Sequence, residues 1–202
     1  MVDYLNSVED LEELYGAPSK GSLIKVADHL TPTYRKWIEA SRFCVLSTVG
    51  PEGTDGTPRG DDGPVVAILD PQTLALPDWR GNNRIDSLHN IVRDPRVSIM
   101  FMVPGSTNVV RVNGEARVTA DDAMRALFVK EDKQPQTVTV IRIHEIYVQC
   151  AKAVMRSRLW TAGDESADLP SIGDMLKEMS AGEFGGEAYD KEWPDRAKST
   201  MW

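Results

Sequence analysis

The chain is poor in the residues that build metal centres and crosslinks, with 2 cysteines and 3 histidines among 202 residues. Cys44 and Cys150 form no Cys-x-x-Cys, and His29, His89 and His144 are scattered, so no pair has ligand spacing on one element. The expectation is two buried thiols in a reducing, cytoplasmic compartment, and no metal. Apolar runs are short, and none approaches the ~20 residues of a membrane helix. The opening Met1-Val-Asp-Tyr-Leu-Asn has no basic stretch leading into an apolar one, unlike a signal peptide. Basic charge is scarce as well: 23 Lys and Arg stand against 31 Asp and Glu, for a net charge of -8. That balance argues against a nucleic acid or an anionic membrane as partner. There is no Gly-x-Gly-x-x-Gly, Walker loop, His-Glu-x-x-His or nucleophile elbow. Rossmann, P-loop and triad-hydrolase chemistry are thereby disfavoured. An enzyme built on this chain would take its reaction from a cofactor.

What is present suits one domain with an appendage. Hydrophobic residues make up 41% and charged residues 27%, ordinary for a globular protein. The negative charge is concentrated: Thr161 to Trp202 carries ten acidic and four basic residues, a net -6. Residues 1–160 therefore read as the main domain. Residues 161–202 read as an acidic appendage packed on that domain or on a partner copy, anchored by Trp193 and Trp202.

Three helical segments come first. Ser7 caps a helix to Tyr15 whose face of Val8, Leu11, Leu14 and Tyr15 should pack on the domain. Ser22 to His29 suggests a short helix, and Thr31-Pro32 opens another through Ala40, burying Tyr34, Trp37 and Ile38. Six β segments follow: 42–49, 64–69, 74–77, 97–103, 109–119 and 137–150. Thr54 to Gly63, rich in Gly, Asp and Pro, reads as a loop. Along 109–119, Val110, Val112, Gly114, Ala116 and Val118 share the core face, and Arg111, Asn113, Glu115 and Arg117 the other. A helix from Asp121 to Lys130 should bury Met124, Leu127 and Phe128. Lys152 to Trp160 is basic and helical in character. Amphipathic turns at 171–179 and 187–193 close the chain. The pattern is mainly β with flanking helices (α+β), an antiparallel barrel or sandwich.

The stretch Trp79-Arg80-Gly81-Asn82-Asn83-Arg84-Ile85-Asp86-Ser87-Leu88 organises the rest. It follows a strand and opens a helix whose apolar positions are Ile85, Leu88, Ile91 and Val92, with the asparagines as N-cap. Such a helix end offers unpaired N–H groups and partial positive charge. Arg84 adds a cation and Ser87 a hydroxyl, which together make a receptor for a phosphate monoester. The competing reading is an ordinary capped helix carrying a solvated arginine, which is the commoner arrangement. Arg59, Arg111 and the group Lys152, Arg156, Ser157 and Trp160 are further basic clusters in an acidic chain. Together they point to a flat anionic ligand.

Four blocks in order carry a family resemblance. They are Thr57-Pro-Arg-Gly-Asp61, Trp79 through Phe101, Arg111-Val-Asn-Gly-Glu-Ala116 and Cys150-Ala-Lys-Ala-Val-Met-Arg-Ser-Arg-Leu-Trp160. Over Arg42 to Trp160 the chain resembles the pyridoxamine 5'-phosphate oxidase-related FMN-binding proteins. The resemblance implies a split antiparallel β-barrel of the FMN-binding type and a homodimer with FMN at the interface. By that likeness Arg84, Ser87, Asn82 and Asn83 hold the FMN phosphate, and Arg59 and Arg111 reach the ring edge or the phosphate. Asp78, Trp79 and Arg80 line the ring or ribityl chain. Lys152, Arg156, Ser157 and Trp160 approach from the second subunit. The implied activity is FMN-dependent oxidoreduction of a small-molecule substrate, with NADH or NADPH as a candidate electron donor. The alternatives are a flavin-binding sensor or carrier and a deazaflavin-dependent reductase. The chain departs from true pyridoxamine phosphate oxidases in ending Lys198-Ser-Thr-Met-Trp202 where they carry an arginine- and histidine-containing motif. Oxidation of pyridoxamine phosphate itself is therefore not expected.

Overall fold

A computed structural model describes residues 1–202. Its centre is one antiparallel sheet of seven strands in the order β2-β1-β5-β6-β7-β4-β3. The strands are β1 (Phe43–Gly50), β2 (Gly53–Gly60), β3 (Ala67–Asp70), β4 (Thr73–Asp78), β5 (Arg96–Met102), β6 (Val109–Thr119) and β7 (Thr137–Gln149). The sheet does not close by hydrogen bonding: β2 and β3 remain its two edges. This is a split barrel, and neither a closed barrel nor a sandwich. The core is the inner face of the sheet, built on Cys44, Leu46, Ile99, Phe101, Val110, Val112, Ile141 and Ile143, all essentially inaccessible. On β6 the expected alternation holds, with Val110, Val112 and Ala116 buried.

The additional strand is β2, where a loop was expected. Gly, Thr, Asp and Pro give it no apolar periodicity. It pairs residue for residue with β1, from Gly60 opposite Phe43 to Gly53 opposite Gly50. An edge strand needs only one hydrogen-bonding side, so Pro58 is tolerated there. β3 is shorter than expected; Val65 and Val66 are buried just before it without joining the ladder.

The helices are α1 (Val8–Tyr15), α2 (Lys20–Ile24), α3 (Pro32–Ala40), α4 (Asp86–Arg93), α5 (Asp122–Arg125), α6 (Lys152–Ser157), α7 (Ile172–Met179) and α8 (Glu187–Thr200). Ser7 and Thr31 cap α1 and α3 as expected. Several burial expectations fail. α1 buries no residue, and Val8, Leu14 and Tyr15 are exposed, so its apolar stripe does not pack on this domain. α2 ends at Ile24 because the chain then extends to bridge Ala27 with Ile146 of β7. α5 is a single turn, and Leu127 beyond it is exposed. In α4 the inward face is Ser87, Leu88, Asn90 and Ile91, whereas Ile85 and Val92 point outward. α7 is held by a Ser171–Asp174 capping box, yet Ile172, Met175 and Met179 are exposed. α8 runs through Pro194 and is longer than the 187–193 segment expected. Cys44 is buried, and burial pushes its thiol up to about 12. Cys150 is exposed, contrary to expectation, because it follows the end of β7. No helix is long and apolar enough to cross a membrane.

Candidate functional site

The split between the two ends of the sheet is bridged by side chains, and the bridge is the candidate site. Arg59 on β2 reaches across to β4, where its Nη1 donates to Asp78 Oδ1 at 2.5 Å. Its Nη2 donates to Ser87 Oγ at 3.1 Å, at the start of α4. Both Arg59 and Asp78 are about four-fifths buried. A short connection from β4 to α4 therefore brings Asp78 and Ser87 to one arginine.

The start of α4 differs from the asparagine-capped end expected. The N-cap is Ile85, which provides no side-chain acceptor. Asn82 instead turns back on the loop, its Oδ1 accepting from the Arg84 amide at 3.0 Å. Asn83 takes a left-handed conformation, with φ 61°, which asparagine tolerates better than most residues. The first N–H groups of α4 thus have no side-chain cap. Arg84 is exposed and pairs with Asp86 through Nε at 2.6 Å. That contact raises the Arg84 pKa. Arg84 is on the rim, and Arg59 is the cation at the centre.

Two buried polar atoms beside this arrangement have no partner, Arg59 Nε and Thr137 Oγ1. Thr137 lies opposite Asp78 in the β4–β7 register. Buried polar atoms are rarely left unpaired, so these mark a place for a ligand's polar groups. Arg59, Asp78, Asn82, Asn83 and Arg84 line a cavity of about 140 Å³, closed on one side by Gln136. The volume suits the phosphate end of a ligand rather than a whole one. A larger cavity of about 510 Å³ adjoins it, sharing Arg59, Trp79 and Gly81.

The larger cavity has an aromatic and charged wall. Trp79 Nε1 donates to Asp61 Oδ2 at 3.1 Å. Lys130 bonds both Asp61 and Asp62. Burial alone would lower the Lys130 pKa, but the two carboxylates outweigh it and raise it. The same contact, with Lys130 as the largest cause, holds Asp62 below the usual carboxylate range. Trp202 packs edge-on against Trp79 with ring centroids 5.3 Å apart, and Lys130 Nζ lies 4.4 Å from its centroid. The appendage is therefore anchored over the cavity by Trp202. Trp193 is half exposed and stacks on Tyr189 instead.

Of the residues read from the sequence, Arg59, Asp78, Trp79, Arg80, Asn82, Asn83, Arg84 and Ser87 converge here. Arg111 does not line these two cavities; it lies 5.4 Å from the centroid of Tyr147 on β7. Lys152, Arg156, Ser157 and Trp160 do not line them either. Ser157 Oγ donates to Val154 O at 3.0 Å, within α6, and Trp160 Nε1 to Ser106 O at 2.7 Å. Lys130 and Thr137 were missed. They are distant in sequence from the organising stretch, and each is an ordinary polar residue in its own segment.

The family model for pyridoxamine 5'-phosphate oxidase matches residues 30–150. No curated protein matches the chain. Among solved structures, a variant of HupZ from Group A Streptococcus is 16% identical over 59% of this chain and 98% of its own, with a TM-score of 0.50. A pyridoxamine 5'-phosphate oxidase-like protein from Lactobacillus delbrueckii is 23% identical, covering 60% and 95%, with a TM-score of 0.48. A structure described as an F420 reductase is 17% identical, covering 58% and 98%, with a TM-score of 0.43. At these identities the likeness is one of fold. With residues 30–150, well over half of its length, matched by the family model, the chain belongs to the pyridoxamine 5'-phosphate oxidase family.

Proposed function

We propose that the protein is an FMN-dependent oxidoreductase acting on a small substrate, as a homodimer with the cofactor at the interface. The observation that carries this reading is the anion receptor at the split. It consists of a buried arginine with one N–H unpartnered, a hydroxyl, and a helix start without a side-chain cap. FMN, when bound, supplies hydride transfer at the flavin, so no side chain need serve as essential acid or base.

The chain's own residues then bind, orient and exclude water. Arg59, fixed in place by Asp78 and Ser87, offers Nε to a phosphate oxygen. The α4 amides add oriented dipoles, and Asn82 and Asn83 shape the turn that exposes them. Arg84 contributes charge from the rim; its pair with Asp86 is exposed and so weakly held. Trp79 presents an aromatic wall, and Trp202 and Lys130 shield that side from solvent. Arg80 stands at the mouth. Lys152, Arg156, Ser157 and Trp160 belong to the partner's contribution in this reading, while Arg111, outside both cavities, has no contact with the proposed site within one copy. What supports the partner assignment is the place of those four residues in the family-like block from Cys150 to Trp160.

The test is to denature the purified protein and identify the released ligand by mass spectrometry. The folded protein is then mixed anaerobically with NADH or NADPH. Released FMN that bleaches with one of the donors is the expected result. A deazaflavin would replace the cofactor assignment. Flavin that no donor bleaches would favour a carrier.

A further inference from the structure

A second cleft lies beside the cofactor cavity, between the Arg80–Asn82 loop and α8. It measures about 560 Å³ and shares Arg80, Gly81 and Met201 with the larger cavity. One wall is aromatic: Tyr189 and Trp193 stack with an interplanar angle of 12°. Arg196 lies over both rings, its guanidinium carbon 4.5 Å from the Tyr189 centroid and 5.4 Å from that of Trp193. A guanidinium stacked in this way keeps its in-plane N–H groups free for an anion.

Charge sets this cleft apart from its surroundings. The appendage carries a net -6, yet no Asp or Glu lines the cleft. The side chains of Arg80 and Arg196 form no ion pair and no hydrogen bond. Every other arginine that lines the cavities beside the Arg59 cluster has a carboxylate partner: Arg59 has Asp78 and Arg84 has Asp86. Two unpaired arginines facing one cleft call for a ligand of about two negative charges. Trp193 and Phe184 on the same wall are both more than half exposed, an aromatic surface that suits a planar ring. The volume is within the range of ligand pockets and leaves room for both parts.

We propose that this cleft binds a nucleotide, its ring on the Trp193 side and its phosphates between Arg80 and Arg196. Because the cleft shares Arg80, Gly81 and Met201 with the proposed cofactor cavity without being that cavity, the bound nucleotide is assigned to a co-substrate and not to the FMN itself. The co-substrate role rests on the proposed flavin site; nucleotide binding at this cleft does not.

The test is calorimetric titration of the full-length protein with ADP, adenosine and inorganic pyrophosphate, with flavin content measured on the same samples. ADP is expected to bind at least tenfold more tightly than either fragment. Arg196→Gln is expected to weaken ADP about tenfold or more, from the loss of one charge-assisted contact. Arg196→Lys should recover only part of that, since it lacks the fork. The Arg196 side chain makes no hydrogen bond, so both variants should fold. Trp193→Leu should weaken ADP and adenosine alike. Flavin content should be unchanged in all three. Failure of ADP to bind, ADP affinity unchanged in Arg196→Gln, or ADP that binds only by displacing flavin would each overturn the proposal.

Discussion

Arg59 joins three elements that no local pattern connects. Its partners Asp78 and Ser87 lie 19 and 28 positions away in sequence. In the sequence it stands in a polar run and reads as one of several scattered arginines, so its charge was legible and its central position was not. The reverse holds for Arg84, which stands out in the sequence at a helix start but lies exposed, paired with Asp86. The two therefore differ in what their loss should do. Arg59→Lys keeps the charge but cannot serve Asp78, Ser87 and a phosphate at once. It should weaken FMN binding by about 1.5–3 kcal/mol, the worth of a hydrogen bond to a charged group. It should also lower the melting temperature, because Asp78, about four-fifths buried, loses a partner. Arg84→Ala should lose flavin while the fold is retained, with a smaller loss of affinity than Arg59→Lys. Fluorimetric titration with FMN, run beside thermal melts, checks both.

Three strands were legible on different grounds: β6 from its alternation, β5 as an almost wholly apolar run, and β7 as a long β-rich stretch. β2 was not, because an edge strand of Gly, Thr, Asp and Pro is specified by pairing with β1 and not by its own residues. Gly114 lies in tightly packed sheet, beside the β-bulge where the β6–β7 register shifts. A Cβ there would lie 1.9 Å from the Arg142 carbonyl oxygen. Gly114→Ala should cost about 3 kcal/mol or more, since backbone must move to admit it. Urea unfolding gives the value, and a loss within 0.5 kcal/mol, the range of an ordinary surface substitution, would contradict the register. The junction of α4 and β5 carries a pH signature. Arg96 hydrogen bonds hold the Asp94 carboxyl at about 2, below its ordinary 3.8. A depressed carboxylate stabilises the fold above its unfolded pKa and loses that effect as pH falls through the folded one. Asp94→Asn should therefore melt below wild type at pH 7, with the difference closing between about pH 4 and pH 2. A difference that stayed constant over that range would assign the stabilisation to something other than the ionised carboxylate.

The split sheet, its side-chain bridge and the acidic appendage act together. An open sheet needs its edges managed, and here β2 and the β4–β3 end are tied through Arg59–Asp78 and Asp61–Trp79. The change of charge at 161 was legible, and Trp193 and Trp202 stood out as anchors; Trp202 packs on Trp79, whereas Trp193 stacks on Tyr189 within the appendage. That Trp202 sits against Trp79 was not legible, because 123 positions separate them and no periodicity links them. If Trp202 shields the cavity, Trp202→Ala should raise quenching of bound flavin by iodide while leaving the sheet intact. Unchanged quenching would make Trp202 a structural anchor only. The account as a whole rests on a phosphate-bearing flavin held at the Arg59 cluster. The deciding measurement is a titration of flavin-stripped protein with FMN and with riboflavin, which lacks the phosphate, for wild type and Arg59→Lys. The account expects FMN to bind wild type far more tightly than riboflavin, and Arg59→Lys to erase most of that preference. Equal affinity for the two flavins, or a preference that survives in Arg59→Lys, would contradict it.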